Sequence, residues 1–406
     1  MSVAELEPPP VVRVAPRRNA LLVWLRAGSP ESGKMFVLTR ALFVLLTYFG
    51  VILHGNFQSA HPSLIHSLLP AWNQWDTKWY VEIAQRGYGW TKSAGTGPAA
   101  FFPLYPLLIK VTVLVTHRSY LVASLLVSNA AFFLALLYLW KLTRWETDSP
   151  TANRTILYIA VFPTALFFFA GYTESLFLLL TVASFYYLRR GDWVAAGVAA
   201  GLASATRVTG ILLLVPLAYE YARDANFSPR QMLRPGLVSF FLIPAGIAAF
   251  MLYLYETIGD AMAFVHYQAA WQKVFTLRLW AGFLDSLREI FVTQPAGSFF
   301  EAHNIINVVL GGVFLLATIL VARRLPAAYA LYLIAFWLVT LTSPAIAGGY
   351  PVPLVSLSRY VLSLFPVFIV AAQLGRDRFW NDSYLVLSTG MLAVLTVQFV
   401  NAGWVV

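Results

Sequence analysis

Long apolar runs separated by shorter polar stretches recur along almost the whole chain. An apolar run of about 20 residues is long enough to cross a bilayer as a helix. The runs lie near residues 36–53, 119–140, 155–170, 172–188, 193–221, 237–255, 305–322, 327–342, 360–374 and 384–401. This pattern predicts an all-α membrane protein with many spans, because a helix satisfies its own backbone polar groups within lipid.

Two polar sections, 54–118 and 256–304, interrupt these runs. The first contains 75–90, WDTKWYVEIAQRGYGW, which is too polar to cross a membrane yet rich in aromatic residues. A helical projection gathers the apolar residues of this region on one side: Trp72, Trp75, Trp79, Ile83 and Gly87. Since Trp and Tyr favour the headgroup region, the pattern predicts a helix that lies in the membrane surface.

Asp76 falls within the apolar side of that predicted helix. A carboxylate turned toward lipid or a cavity is costly unless it has a partner or a function. Asp76 is therefore a candidate catalytic residue. The alternative is that Asp76 caps the helix N-terminus, because it precedes a run of good helix-forming residues. The two roles can coexist.

Composition supports the membrane assignment and excludes several functional classes. Of 406 residues, 59% are apolar and 11% are charged, against about 25% charged in soluble domains. The sequence has no cysteine, which excludes disulfides, cysteine-based zinc sites and a thiol nucleophile. The net charge of +10 comes from Lys and Arg scattered between the apolar runs. That distribution suits orientation in a membrane better than binding of nucleic acid.

The distribution of Lys and Arg also indicates how the run at 193–221 crosses the membrane. This run is long for one span and short for two, and Arg207 lies near its middle. With two crossings, most of the 28 Lys and Arg residues fall on one side, as expected for cytoplasmic loops. A single crossing would place the later basic loops outside. We therefore predict eleven spans, with the N-terminus in the cytoplasm and the C-terminus outside.

This topology divides the chain into a basic cytoplasmic tail at 1–35, one transmembrane domain at 36–401 and a short outer tail at 402–406. The sections 54–118 and 256–304 become outer loops. Acidic residues of these loops then lie at the outer surface, whereas transporters usually place ionisable groups near the membrane midplane. The arrangement predicts chemistry at the outer face of the plasma membrane, on a substrate that a lipid carries.

Several short motifs, taken in order, match a known family. They are Trp75-Asp76-Thr77-Lys78-Trp79-Tyr80, Phe101 to Pro106, Phe162-Pro163, Gly171-Tyr172-Thr173-Glu174-Ser175, Thr206-Arg207 and Ser358-Arg359-Tyr360. On these residues, the chain resembles the PIG-V-like mannosyltransferases from about residue 36 to 375. The resemblance implies a GT-C-type bundle of transmembrane helices, with interfacial helices in the first outer loop.

The resemblance also implies a reaction. A GT-C glycosyltransferase moves a sugar, here mannose, from a polyprenyl-phosphate-linked donor to a lipid or glycan acceptor. Asp76 matches the acidic residue of the first outer loop that acts as general base, with inversion at the anomeric carbon. No cofactor is firmly implied, and no motif supports a divalent metal ion. The expected partners are the donor, the acceptor and membrane lipids, and not nucleic acid.

A departing phosphate needs cationic groups near it. Arg359, at the outer start of a predicted span, is the first candidate, and the alternative is an interfacial anchor that reaches lipid headgroups. Arg207 is the second candidate, because an arginine inside an apolar run is difficult to explain as an anchor. Lys78 and Tyr80, both in the first motif, are further candidates for substrate binding.

Three more residues complete the predicted site. Glu174 lies in a tight link between two predicted spans, where it is a candidate to assist Asp76, position the acceptor or hold a metal ion. The alternative for Glu174 is capping of the following helix. His266 and Gln268, in the second outer loop, are candidates for contacts with sugar hydroxyls, although a lone histidine is more often structural.

A transporter or flippase of a lipid-linked saccharide is the alternative function. The same aromatic residues would then line a path, and Asp76 and Arg359 would gate it or couple it to protons. The enzyme is favoured, because the predicted topology places all the candidate residues on one side of the membrane.

Overall fold

The structure, a computed structural model, describes residues 28–54, 68–89, 97–117, 119–268, 272–349 and 351–405. Within these ranges the chain is helical and contains no strand, apart from one isolated antiparallel bridge between Lys273 and Ala345. The predicted all-α fold class is confirmed. The predicted tail at 1–35 lies outside the described residues as far as residue 27, and its last part already belongs to a helix that begins at Ser29.

The α-helices are numbered in chain order. They are α1 Ser29–His54, α2 Asp76–Arg86, α3 Leu104–Thr112, α4 Tyr120–Glu146, α5 Ser149–Ala160, α6 Glu174–Arg189, α7 Trp193–Ser204, α8 Leu214–Asp224, α9 Pro229–Met232, α10 Ser239–Ile258, α11 Ala263–His266, α12 Ala281–Arg288, α13 Phe299–Arg324, α14 Ala327–Leu341, α15 Leu357–Tyr360, α16 Phe365–Leu374 and α17 Arg378–Val400. Short 3-10 helices occupy Pro70–Trp72, Pro98–Ala100, Val113–Val115, Ala165–Phe168, Val208–Leu213, Pro235–Val238, Ala347–Gly349 and Val361–Ser363, and a π-helix occupies Glu289–Thr293.

Among the described residues, five helices are long and apolar enough to cross a membrane. They are Ser29–Leu53, Tyr120–Glu146, Pro235–Ile258, Phe299–Arg324 and Arg378–Val400. The pair Leu357–Ser363 and Phe365–Leu374, bent by 81°, adds a sixth if it counts as one span. These helices confirm an integral membrane protein, whereas the count of eleven spans and the orientation stay predictions.

Polar side chains fix the starts of several helices. Each accepts a hydrogen bond from a backbone N–H of the first turn, which replaces one of the partners that a helix start lacks. The capping residues are Ser119, Asp148, Asp192, Ser298 and Asp377. These capping residues therefore set the positions at which α4, α5, α7, α13 and α17 begin.

The run at 193–221 is broken rather than continuous. α7 ends at Ser204, and the 3-10 helix Val208–Leu213 leads into α8. The backbone N–H of Leu104 donates a hydrogen bond to the carbonyl of Ala205, at 3.0 Å. The Ala205 carbonyl, which follows the end of α7, therefore has a hydrogen-bond partner within the protein. The break falls directly before Arg207, where the prediction of two short helices places it.

Small residues bring α7 close to α10. A Cβ on Gly201 would lie 2.4 Å from the carbonyl oxygen of Leu242, and one on Gly246 would lie 2.3 Å from the carbonyl oxygen of Gly201. Larger side chains at these positions would force the helices apart. This close packing fixes the turn that carries Arg207.

α2 confirms the helix predicted within 75–90, but its buried face differs from the predicted one. The buried residues are Thr77, Tyr80, Ile83 and Ala84. Trp75 precedes the helix at φ 50° and is 42% exposed. Its predicted place on the apolar side is therefore wrong, because a residue in the left-handed region does not continue the helical projection. The helix packs on α3, where the rings of Tyr80 and Tyr105 lie 5.0 Å apart.

A network of ion pairs joins four helices at the C-terminal end of α6. Arg189 Nε lies 2.6 Å from Glu146 Oε1, and Arg189 Nη1 lies 3.3 Å from Glu220 Oε1. Arg223 Nη2 lies 2.5 Å from Glu220 Oε2, and the Tyr329 hydroxyl donates to Glu146 at 2.9 Å. We call these five residues the closed cluster. It binds α4, α6, α8 and α14 together at an end where the sequence predicted no site.

Candidate active site

Four charged side chains from distant parts of the chain meet at the N-terminal end of α6. Arg359 Nη1 lies 2.6 Å from Asp76 Oδ2, and Arg359 Nε lies 3.3 Å from Glu174 Oε1. Arg207 Nη1 lies 2.6 Å from the same Glu174 oxygen. We call Asp76, Glu174, Arg207 and Arg359 the cavity cluster. All four are predicted site residues, and the structure brings them together.

Both carboxylates of the cavity cluster stand at the start of a helix. Asp76 is the first residue of α2, and Glu174 is the first residue of α6. Trp75 and Thr173 occupy the N-cap positions, and neither helix start has a side-chain capping hydrogen bond. Capping is therefore not the role of either acid, because each carboxylate accepts its hydrogen bond from an arginine. The helix N-termini still favour the negative charges of both.

Hydrogen bonds on the neighbouring backbone hold Arg359 in place. The hydroxyl of Thr164 donates to the carbonyl of Ser358 at 2.8 Å, and the backbone N–H of Ser358 donates to Asn307 Oδ1 at 3.0 Å. The Arg359 side chain is 13% exposed. A buried guanidinium between two carboxylates does not reach lipid headgroups, so the geometry gives no support to the anchor alternative.

Exposure separates the two acids. Glu174 is 3% exposed, and its Oε2 is buried without a hydrogen-bond partner among the described residues. Asp76 is 24% exposed, and its backbone N–H donates to the Tyr172 hydroxyl at 3.2 Å. Asp76 is therefore the acid that a substrate can reach, and Glu174 is the acid that holds both arginines from behind.

A cavity of about 1210 Å³ adjoins the cavity cluster. The predicted residues that line it are Asp76, Tyr80, Arg207, His266, Gln268 and Arg359. Glu174 does not line it, and Lys78 lies on the exposed face of α2, away from it. Among the described lining residues, Asp76 is the only carboxylate, and most of the others are aromatic or aliphatic. Such a cavity has the volume and the mixed lining of a small-molecule site.

Two predicted residues of the cavity wall have polar partners of their own. The Tyr80 hydroxyl donates to Thr173 Oγ1 at 3.4 Å, and burial raises the pKa of Tyr80. This hydroxyl therefore stays protonated and can donate. His266 Nδ1 lies 2.7 Å from Asp260 Oδ2 in an exposed pair, and this hydrogen bond lowers the pKa of Asp260. Trp404, in the predicted outer tail at 402–406, also lines the cavity.

Sequence analysis missed Lys273, which lines the cavity beside Tyr360. Lys273 Nζ lies 5.3 Å from the centroid of the Tyr360 ring, and the guanidinium carbons of Arg207 and Arg359 lie 5.0 and 5.4 Å from it. A cation over an aromatic face is attracted by the ring quadrupole. Lys273 is the single lysine of the section 256–304. That isolation was the one signal by which the sequence marked it.

The described residues contain no group of three or more His, Asp or Glu side chains that could hold a metal ion. The cavity cluster instead pairs its two carboxylates with two arginines. Lys273 adds a third positive charge at the cavity wall. The site therefore carries a net positive charge, which suits an anionic ligand.

Comparison with known proteins identifies relatives of this chain. The family described as Mannosyltransferase (PIG-V) matches residues 36–279. GPI alpha-1,6-mannosyltransferase 2 of Mus musculus is 30% identical over 170 residues, which cover 39% of this chain and 34% of that protein. The protein of the same name from Cricetulus griseus is 29% identical over 216 residues, 51% of this chain and 42% of that protein. The chain thus matches less than half the length of these relatives.

A solved structure shares the fold. ArnT from Cupriavidus metallidurans, crystallised with undecaprenyl phosphate, aligns with a TM-score of 0.50 and 14% identity, over 88% of this chain and 63% of that one. This likeness supports the predicted GT-C arrangement of helices and nothing finer. The family match covers more than half of the chain and includes Asp76, Glu174 and Arg207. The chain belongs to the PIG-V mannosyltransferase family.

Proposed function

We propose that this protein transfers mannose from a polyprenyl-phosphate donor to a hydroxyl of a lipid or glycan acceptor, with inversion. The observation that carries the proposal is Asp76, the one carboxylate among the described residues of the cavity wall. An attacking hydroxyl loses its proton, so an inverting transfer needs one base at the reacting centre. Family membership supports mannose as the sugar. The lipid phosphate bound to ArnT belongs to the class of ligand proposed here.

In this mechanism the acceptor oxygen attacks the anomeric carbon while Asp76 takes the hydroxyl proton. The bond between the anomeric carbon and the phosphate oxygen breaks, and polyprenyl phosphate leaves with the bonding electrons. Asp76 then releases its proton to water. Arg359 orients the carboxylate through the 2.6 Å contact. Glu174 stands behind the wall, so we assign it to holding Arg207 and Arg359 rather than to contact with the substrate.

We place the site at the outer face of the plasma membrane, with the N-terminus in the cytoplasm. The contact between Asp76 and Arg359 supports two crossings by 193–221, because a single crossing would leave these two residues on opposite faces. The chain has no cysteine, so single cysteines can report the topology. A membrane-impermeant thiol reagent should label exposed Glu256→Cys and should not label exposed Arg230→Cys. Labelling of the second from outside would overturn this orientation.

The activity is tested with the full chain in nanodiscs, supplied with polyprenyl-phosphate mannose and a lipid acceptor extract. Wild-type protein should form mannosylated product, and Asp76→Asn should lose a factor of about 10²–10⁴ in rate. Glu256→Gln is the matched control, because Glu256 is exposed and does not line the cavity. Movement of lipid-linked sugar across a bilayer, without product from any donor, would establish the transporter alternative instead.

A further inference from the structure

We propose that Lys273, supported by the ring of Tyr360, binds the phosphate of the lipid-linked donor. This inference rests on the proposed function for the identity of the ligand. It replaces Arg359 as the first phosphate-binding residue with a residue outside the predicted site.

The charge balance leaves Lys273 as the uncommitted cation. Among the described residues that line the cavity, the lysines and arginines are Arg207, Lys273 and Arg359, and both arginines contact carboxylates at 2.6 Å. Within the part of the chain that the structure describes, no carboxylate lies within 4.0 Å of Lys273 Nζ. An arginine held by carboxylates has fewer donors to offer a second anion, whereas an unpaired ammonium keeps all three.

The three cations of the cavity wall gather around the ring of Tyr360. Arg207, Lys273 and Arg359 all approach that ring to between 5.0 and 5.4 Å from its centroid. Three cations that gather around one ring repel one another unless anions lie among them. Asp76 and Glu174 balance two of the three. The third positive charge stays unbalanced until an anion enters the cavity, so the wall next to Tyr360 is built to receive one negative group.

Backbone contacts hold Lys273 at the wall. Lys273 forms an antiparallel bridge with Ala345, and the N–H of Val274 donates to the carbonyl of Pro344 at 3.1 Å. One residue before the lysine, the carbonyl of Gln272 accepts a hydrogen bond from the N–H of Ala347 at 3.1 Å. The segment is thus joined to the chain before α15 on both sides of Lys273. A lysine on such a support loses less freedom when it binds an anion than one on a free loop.

An ammonium group suits a phosphate that becomes a leaving group. The donor phosphodiester carries one negative charge, and the departing phosphate gains a second. A compact cation with rotatable donors can follow that charge without a fixed fork geometry. The interaction therefore strengthens as the bond to the sugar breaks, which is the condition for assisting the reaction rather than only binding the donor.

The test compares Lys273→Gln, Lys273→Arg and the control Arg278→Gln in nanodiscs. Arg278 is an exposed cation of the same segment that does not line the cavity. The probe for binding is undecaprenyl phosphate, measured directly and as an inhibitor of mannosyl transfer. Lys273→Gln should weaken binding of undecaprenyl phosphate and lower kcat/KM for the donor by about tenfold or more, with a loss in kcat as well as a rise in KM, because a charged hydrogen bond that strengthens in the transition state is lost. Lys273→Arg should recover most of the binding, and Arg278→Gln should match wild type.

The outcomes separate this inference from the proposed function. Wild-type binding of undecaprenyl phosphate by well-folded Lys273→Gln would overturn the inference, and continued formation of mannosylated product would leave the proposed function intact. Weakened binding by Lys273→Gln, in a preparation where even wild type transfers no mannose, would support the anion site and refute the proposed reaction. Equal loss in Lys273→Gln and Arg278→Gln would mean a general effect of surface charge, which also overturns the inference.

Discussion

α6 has a group of ion pairs at each end, and the two groups have the same charged composition. The cavity cluster at Glu174 and the closed cluster at Arg189 each join two carboxylates to two arginines. Because a helix rises 1.5 Å per residue, the 16 residues of α6 hold the two ends about 22 Å apart. One straight element therefore carries both a candidate reaction site and a purely internal network.

Access distinguishes the two clusters. Asp76 is 24% exposed and lines the cavity, whereas Glu146 and Glu220 are 7% and 4% exposed and do not line it. The hydroxyl of Tyr329 occupies the place next to Glu146 that a substrate group would need. Buried ion pairs alone are weak evidence for stability or function. The informative feature is a carboxylate that keeps an open approach.

The largest expected effect is a loss of activity caused by a substitution in the cavity cluster. Asp76→Asn should reduce kcat by a factor of about 10²–10⁴ while the melting temperature changes by only a few degrees, because Asn preserves the volume and Arg359 keeps its contact with Glu174. Transfer assays and thermal unfolding in the same nanodiscs provide both values. A variant that loses stability and activity together would make Asp76 a structural residue like those of the closed cluster.

The second test concerns the closed cluster, where we expect stability to change and activity to stay the same. Glu220→Gln leaves the buried Arg189 with one of its two carboxylates, and breaking a buried pair costs about 3–5 kcal/mol. The lost contact to Arg223 adds little, because that side chain is 44% exposed. We expect a clearly lower melting temperature and an unchanged kcat for the folded fraction. If the folded variant instead transferred mannose slowly, the closed cluster would communicate with the site through α6, and the contrast would fail.

Glu174→Gln should give an intermediate result, because Glu174 supports the site without facing the cavity. Loss of its charge weakens the hold on Arg207 and Arg359, and a charged hydrogen bond lost from a buried network corresponds to about tenfold in rate. The effect should appear in kcat more than in donor KM, since the cations are displaced rather than removed. A loss as large as that of Asp76→Asn would return Glu174 to the list of candidate bases.

Arg359→Lys measures how much the geometry of the pair with Asp76 matters. An ammonium cannot keep both the contact to Asp76 and the approach to Glu174, because it lacks the planar fork. We expect normal insertion and a loss of about tenfold in kcat. Activity equal to wild type would show that charge alone suffices and would weaken the orienting role assigned to Arg359.

The smallest expected effect concerns the exposed pair of Asp260 and His266, of which His266 lines the cavity. The hydrogen bond from His266 lowers the pKa of Asp260. The stability that the ionised carboxylate contributes is therefore fully present at pH values above the ordinary pKa of aspartate. That stability is lost as the pH falls through the lowered pKa of Asp260. Asp260→Asn should therefore change the acceptor KM by no more than about twofold near neutral pH, as expected for exposed pairs. Acceptor titrations at several pH values would detect a larger role.

The sequence predicted the membrane class and the four members of the cavity cluster, but not which of the four contact one another. The break before Arg207 was recognisable, because an arginine interrupts an apolar run. Its pairing with Glu174 depends on the close packing of α7 on α10, which no local pattern reveals. Lys273 was missed because only the contact with the distant Ala345 brings it to the cavity.

The closed cluster was missed for a different reason. Glu146 and Arg189 lie at the ends of apolar runs, where charged residues usually contact water or headgroups. Only the approach of α8 and α14 turns these positions into an interior. The sequence therefore did not reveal charges at the ends of apolar runs that helices from elsewhere in the chain bury.

The pair between Asp76 and Arg359 joins two residues that are synthesised far apart in time. Its partners are 283 positions apart, whereas Glu174 and Arg207 are separated by 33. At translation rates of about 5–20 residues per second, Asp76 waits about 15–60 s for its arginine. Its position at the start of a helix that is not a membrane span lets the carboxylate stay near water during that interval. On the proposed mechanism, a nascent chain therefore completes its site only when α15 has been synthesised.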